Sequence, residues 1–231
     1  TADAERAARQ AHDLLMAHSD DRLLLAESYA ALALTLNANG NEQEAISAAH
    51  KALALREAAN AGAPLLAKSQ ADLCSVIGGA GEYSRALAYC KKAQALHVES
   101  GTTHTNDYRL LLGEIVGLLK YVSDYETSLQ VARERLALTR SLFGERSAVL
   151  ARERVVLAVS LAESGVYEEA VALLSEGTTV ILRKHGKNSA RYAWALFSAG
   201  LIEYERGNFI KAEHFLRESH SIYVSAVGGN D

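Results

Sequence analysis

Eight histidines and two cysteines are the residues of this chain best suited to holding a metal. Ligands on one helical face stand three or four residues apart. His214 and His220 are six apart, and His97 and His104 flank a glycine, so neither pair makes a ligand set. No HExxH and no paired-cysteine spacing occurs. Cys74 and Cys90 are expected to be buried free thiols, because unpaired cysteine is among the most buried residue types. Gly78-Gly79-Ala80-Gly81 follows a helical stretch and lacks the Lys-Ser or Lys-Thr of a phosphate loop, so it is a turn. No GxSxG nucleophile elbow is present. Glu168-Glu169 and the Glu42/Glu44 pair open apolar helical runs, where carboxylates favour the helix dipole without doing chemistry. The expectation is a protein with no catalytic residues, no metal and no cofactor: not an enzyme.

Composition agrees with a helical, globular chain. Of 231 residues, 49% are hydrophobic and 23% charged, and Pro64 is the single proline. Chains rich in Ala, Leu, Glu and Arg and poor in Pro favour helix throughout. The net charge of −4 lacks the basic footprint of a nucleic-acid binder, and no basic run suits a membrane surface. No stretch has the length and apolarity of a membrane span. So few cysteines argue against a disulfide-built secreted domain, which points to a reducing compartment and a cytoplasmic location.

One pattern recurs along the chain: a turn former, a polar residue, an aromatic, two polar residues, then a small residue opening an apolar helix. It appears as Gly40-Asn41-Glu42-Gln43-Glu44-Ala45 and Gly81-Glu82-Tyr83-Ser84-Arg85-Ala86, then as Ser123-Asp124-Tyr125-Glu126-Thr127-Ser128. Gly165-Val166-Tyr167-Glu168-Glu169-Ala170 and Gly207-Asn208-Phe209-Ile210-Lys211-Ala212 complete the series. The closing residues 45, 86, 128, 170 and 212 are spaced by 41, 42, 42 and 42. A second landmark runs in phase. Gly101, Gly144, Gly186 and Gly228 each follow a helical run and suit a left-handed helix cap. Ser147 and Ser189 are placed to cap the helices that follow. Each unit is thus a helix A, a turn, a helix B and a capped loop. Tyr83, Tyr125, Tyr167 and Phe209 are expected to wedge between neighbouring helices. Glu42 replaces the aromatic in the first unit, whose turn is expected to be looser. Gly113 and Gly117 should weaken helix A of the third unit, since each interior glycine costs about 1 kcal/mol relative to Ala.

The sets Ala33/Gly40/Ala45/Ala52, Cys74/Gly81/Tyr83/Ala86/Ala93, Ala158/Gly165/Tyr167/Ala170 and Gly200/Gly207/Phe209/Ala212 resemble the tetratricopeptide repeat. The third unit is degenerate, with Val116, Ser128 and Arg135 at the matching places. The period exceeds the usual 34 residues and resembles the kinesin-light-chain type. That resemblance implies an all-α, right-handed α-α superhelix of five helix pairs plus a partial N-terminal repeat. As a single domain over 1–231, it would place helix B of a truncated repeat at 1–20 and units at about 22–58, 63–100, 104–143, 146–185 and 188–227. The missing first helix A suggests a fragment of a longer protein.

In such a stack the A helices line a concave groove, which is the default binding surface. Projecting their faces inward gives Asn37, Lys68, Asp72, Ser75, Glu114, Lys120, Tyr121, Arg152, Trp194, Phe197 and Ser198 as candidates. Lys68, Lys120 and Arg152 suit a carboxylate. Trp194 and Phe197 suit an apolar anchor or, equally, the core of the last unit. The resemblance implies a scaffold that binds a protein or peptide, with no direct contact to nucleic acid or membrane. The alternative is a peptide- or ligand-sensing regulatory domain of a larger signalling protein, its partner lying in the same full-length chain.

Overall fold

The structure, a computed structural model, describes residues 2–227. Among the described residues there are eleven helices and no strand. They are α1 (Ala2–His18), α2 (Arg22–Ala38), α3 (Glu42–Ala58), α4 (Ala63–Gly79), α5 (Tyr83–Glu99), α6 (Asn106–Tyr121), α7 (Tyr125–Phe143), α8 (Ala148–Glu163), α9 (Tyr167–His185), α10 (Ala190–Glu205) and α11 (Phe209–Val227).

The recurring turn is a backbone device. After each A helix one residue takes a left-handed conformation, and two backbone amides fold back onto the last helical carbonyls. Gly81 (φ +79°) donates its N–H to Gly78 O, and Glu82 donates to Ile77 O. The same two bonds recur at Gly165 and Val166 and at Gly207 and Asn208. The first unit closes identically: Gly40 N–H reaches Asn37 O at 3.1 Å and Asn41 N–H reaches Leu36 O at 2.9 Å. Its turn is therefore not looser, contrary to expectation, because the bonds that shape it need no aromatic. Glu5 of α1 secures it further, accepting from the side-chain amides of Asn39 (2.8 Å) and Asn41 (3.1 Å). In the degenerate third unit Ser123 takes the left-handed place at φ 62°.

Loops between units also use positive φ. Gly101, Gly144 and Gly186 do so as expected, and Gly228 lies outside the described residues. The first such loop carries no glycine landmark; Asn60 fills the place at φ 50°. Ser147 and Ser189 cap α8 and α10 by accepting from Leu150 N–H and Tyr192 N–H. Asp21 and Thr105 do the same for α2 and α6. α6 runs unbroken through Gly113 and Gly117.

The chain forms two compact units, Thr1–Ser128 and Leu129–Asp231. In the first, α2 packs on α3 and α4 on α5, and each new A helix lies against both members of the pair before it: α4 against α2 and α3, α6 against α4 and α5. In the second, α8 packs on α9, α10 on α11, and α10 lies against both α8 and α9. Successive B helices stand further apart and meet through long side chains, as His50 of α3 meets Tyr89 of α5 with ring centroids 6.0 Å apart. Within each unit the A helices are thus the closer row.

Small residues set the distance between paired helices. Ala33, Ala45, Ala49 and Ala52 are buried in the first pair, and Ala86 and Ala93 in the second. Gly177 is closer still: a Cβ there would stand 2.6 Å from Ala151 O and 2.8 Å from Val155 Cγ2. A Cβ on Gly200 would stand 2.7 Å from Leu216 Cδ2.

Cys74 and Cys90 are not free. They form a disulfide joining α4 to α5, with Cα atoms 5.3 Å apart and both residues fully buried. Ala33 and Ala49, Ala158 and Leu174, and Gly200 and Leu216 hold the same register in other pairs, and Leu216 lies against Gly200. The two cysteines meet because the fold brings these two register positions together. The expectation of a reducing compartment rested on the small number of cysteines, and a buried disulfide lends it no support. No helix among the described residues is long and apolar enough to cross a membrane.

Two substitutions separate backbone conformation from helix approach. Ser123→Gly should stabilise the protein by about 1 kcal/mol, since an L side chain is strained at positive φ. Gly177→Ala should destabilise it by about 1–3 kcal/mol despite better helix propensity, because the obstructing Ala151 O is backbone and cannot swing aside. Urea midpoints at constant slope would measure both.

Candidate functional site

The A-helix face of the first unit is polar. Glu27 on α2 meets Lys68 on α4 with Oε1–Nζ at 2.7 Å. Behind them Arg56 of α3 is buried, donating to Ser69 Oγ at 2.7 Å and to Glu27 Oε2 at 3.3 Å. Glu27 is held below the usual carboxylate range, first by its bond from Lys68 and then by the charges of Lys68 and Arg56. The Lys68 ammonium is therefore already engaged. The pairing offsets the charge that a ligand carboxylate would have met, and a half-exposed pair of this kind contributes little to stability.

Asp72 lies one turn further along α4. Its Oδ2 is buried and has no hydrogen-bond partner. Burial pushes its pKa up to about 6; Arg56 and Lys68 oppose this, while Glu27 and Asp107 add to it. Ser75 is half-buried on the same helix, and Glu114 is exposed on α6. Asn37 is half-buried, its amide lying over Gly79, where a side chain would leave it no room. Lys120 is half-buried and Tyr121 is 67% exposed. The Tyr121 ring stacks on Tyr83, with centroids 4.4 Å apart and planes 7° from parallel. Tyr121 thus ties the end of α6 to the turn of the preceding pair rather than pointing into a groove. Tyr167 makes the equivalent tie in the second unit, donating its hydroxyl to Glu205 O at 3.0 Å. Tyr83 and Tyr167 wedge as expected, whereas Tyr125 (54%) and Phe209 (63%) remain exposed.

In the second unit Arg152 is exposed on α8. Ser198 is buried and its hydroxyl returns to Trp194 O at 3.1 Å, so it presents no group to a ligand. Trp194 and Phe197 come together with α11. They line a cavity of about 380 Å³ with Leu216, Ser219, His220 and Tyr223. Leu216 and His220 are shared with an adjoining cavity of about 610 Å³, also lined by Tyr204, Phe209 and Arg217. Together these form one apolar trough along α10 and α11.

The α11 side of that trough lies outside the A-helix faces from which the sequence-based candidates come. Burial sets α11 apart from the other B helices. Arg56, His97, Thr139 and Ile181 hold one B-helix position in successive units and are all buried, whereas Tyr223 at the same position is 53% exposed. Among the described residues no group of three or more His, Cys, Asp or Glu could hold a metal.

A family model described as tetratricopeptide repeat matches residues 151–223, and a second with that description matches residues 25–60. No curated protein matches. Among solved structures, BtubC (BKLC) from P. vanneervenii superposes with a TM-score of 0.82 at 19% identity, covering 100% of this chain and 91% of that one. A putative kinesin light chain with nearly identical tetratricopeptide-like repeats from Podosopora anserina gives a TM-score of 0.79 at 14% identity, covering 92% of this chain and 100% of that one. YrrB, described as a tetratricopeptide protein with an unusual peptide-binding site, gives 0.55 at 18% identity, covering 91% of this chain and 90% of that one. The family matches show tetratricopeptide repeats at residues 25–60 and 151–223, and the same helix pairs and turn chemistry run through the other repeats. In fold its long repeats are similar to those of the kinesin-light-chain-like array.

The raised Asp72 pKa has a signed consequence. The folded protein binds the Asp72 proton more tightly than the unfolded chain, so stability falls as pH rises from about 4 to about 6 and stays lower above that window. Asp72→Asn removes this slope. The variant should gain on wild type at pH 7 and not at pH 4, as measured by urea midpoints at the two pH values.

Proposed function

We propose that this protein is a scaffold that holds a segment of another polypeptide, and that the trough between α10 and α11 seats the apolar part of that segment. The observation that carries this reading is the open aromatic lining of the trough. Phe197 is 47% exposed, Tyr204 58%, Phe209 63% and Tyr223 53%. Exposed aromatic clusters of this kind mark interaction surfaces, and aromatic anchors dominate interface energetics. Within each unit the matching troughs, between α2 and α3, α4 and α5, and α8 and α9, are filled by the next A helix. The peptide-binding site of YrrB supports the reading by likeness of fold.

The polar A-helix face of the first unit is a second surface of different character. Lys68 is paired and the Asp72 oxygen is buried, so that face supplies orientation more than anchoring. Asn37, Ser75 and Glu114 are its remaining groups, and Arg152 plays the same part in the second unit. The reading involves no reaction and no cofactor.

The test compares wild type with the double variant Phe197→Glu/Tyr223→Glu as bait in its source lysate, both checked for intact helix by circular dichroism. Both side chains are exposed, so the fold should persist. A partner retained by wild type and lost by the folded variant is the expected outcome. A partner kept by the double variant but lost on Lys68→Glu/Arg152→Glu would move the site to the A-helix faces. Capture by neither bait would count against a scaffold.

A further inference from the structure

The disulfide between α4 and α5 has a property that the scaffold reading does not use. Both cysteines are fully buried, as are Leu73, Ile77, Ala86 and Ala93 beside them in sequence and along the same helix faces. Exchange of a disulfide requires a thiolate to reach a sulfur atom. Neither sulfur can be reached while α4 and α5 are packed. The bridge also closes a loop of only 16 residues, which contains a single turn, so it restrains one helix pair and nothing beyond it.

The sister pairs show that the bond is not needed to build the fold. Ala33 and Ala49, Ala158 and Leu174, Gly200 and Leu216 occupy the same two register positions and carry no covalent link. What the bridge adds in the second pair is permanence. It acts on a helix with a particular load, because α4 carries Lys68, Asp72 and Ser75 and lies against both α2 and α3.

We propose that the Cys74–Cys90 disulfide is a sealed clamp: it closes when the second helix pair packs, persists in the folded protein under reducing conditions, and holds the polar face of α4 in place. Closure joins two thiols into one disulfide. The two electrons and two protons released pass to a second disulfide, a thiol-exchange partner, which becomes two thiols. Opening is the reverse reaction with a dithiol and requires α4 and α5 to separate first.

The test treats the purified chain with excess dithiothreitol in native buffer and follows thiol appearance by alkylation and mass. Reduction should be slower than that of an exposed disulfide such as oxidised glutathione by on the order of a hundredfold or more, as expected for a site reached only by local opening. Urea below the unfolding transition should accelerate it. Prompt reduction, proportional to dithiothreitol and indifferent to urea, would overturn the seal. So would two free thiols in protein isolated from its source under acid quench.

The clamping role has its own readout. Cys74→Ala/Cys90→Ala recreates the pairing of Ala33 and Ala49 and should fold. Amide exchange in α4 and α5 should then be faster than in the oxidised wild type, with α10 and α11 unchanged. Equal exchange in α4 would overturn the clamp even if the seal held.

Discussion

The close approach of helix A to helix B within a pair is the constraint on which the rest of this structure depends. Two helices can share a core this thin only where Cβ atoms are small or absent. Ala33 and Ala49, Ala158 and Gly177 supply such places, and each is buried. Once a pair is closed, its outer surface is a trough between two ridges, and one further helix fits there. Stacking follows from pairing, and a row of adjacent A helices follows from stacking.

The same constraint explains where the polar groups go. With small residues on the inner faces, long side chains are displaced to the rims and to the seams between pairs. Arg56 is a buried example, surrounded by Ser69 and Glu27. Arg154 is its counterpart in kind, buried between Glu145 and Glu176. Buried guanidinium groups need such partners, since an uncompensated charge at a seam is costly. Links between successive B helices are likewise made by long side chains, Arg9 to Glu44 at 2.6 Å and Arg133 to Glu169 at 2.7 Å.

Fold was legible in the sequence because it is written five times. The spacing of Gly40, Gly81, Gly165 and Gly207 against Ala45, Ala86, Ala170 and Ala212 carries turn and packing together. The candidate site was less legible, because a register position says which face a residue occupies and not what already occupies that face. Lys68 was assigned to a ligand and is held by Glu27. Ser198 was assigned to the groove and is buried against its own helix. Trp194 and Phe197 suit an apolar anchor or a core by sequence alone, and the register of the A helices says nothing of their company on α11. The disulfide was missed for a related reason: cysteine count speaks to compartment, whereas the pairing of Cys74 with Cys90 depends on two places meeting in space.

The turn that closes each pair has a consequence for the history of such chains. It is shaped by two backbone hydrogen bonds and one left-handed residue, and in this protein it tolerates Glu42 where other units carry an aromatic. A genetic crossover between two of these turns would join the front of one unit to the back of another at a junction that already folds. The result would be a longer or shorter array with no new loop to invent. Repeat number can therefore drift by duplication and loss while the seams keep their chemistry. Departures such as Ser123, or the lone cysteine pair, then mark a unit that has diverged since it was copied.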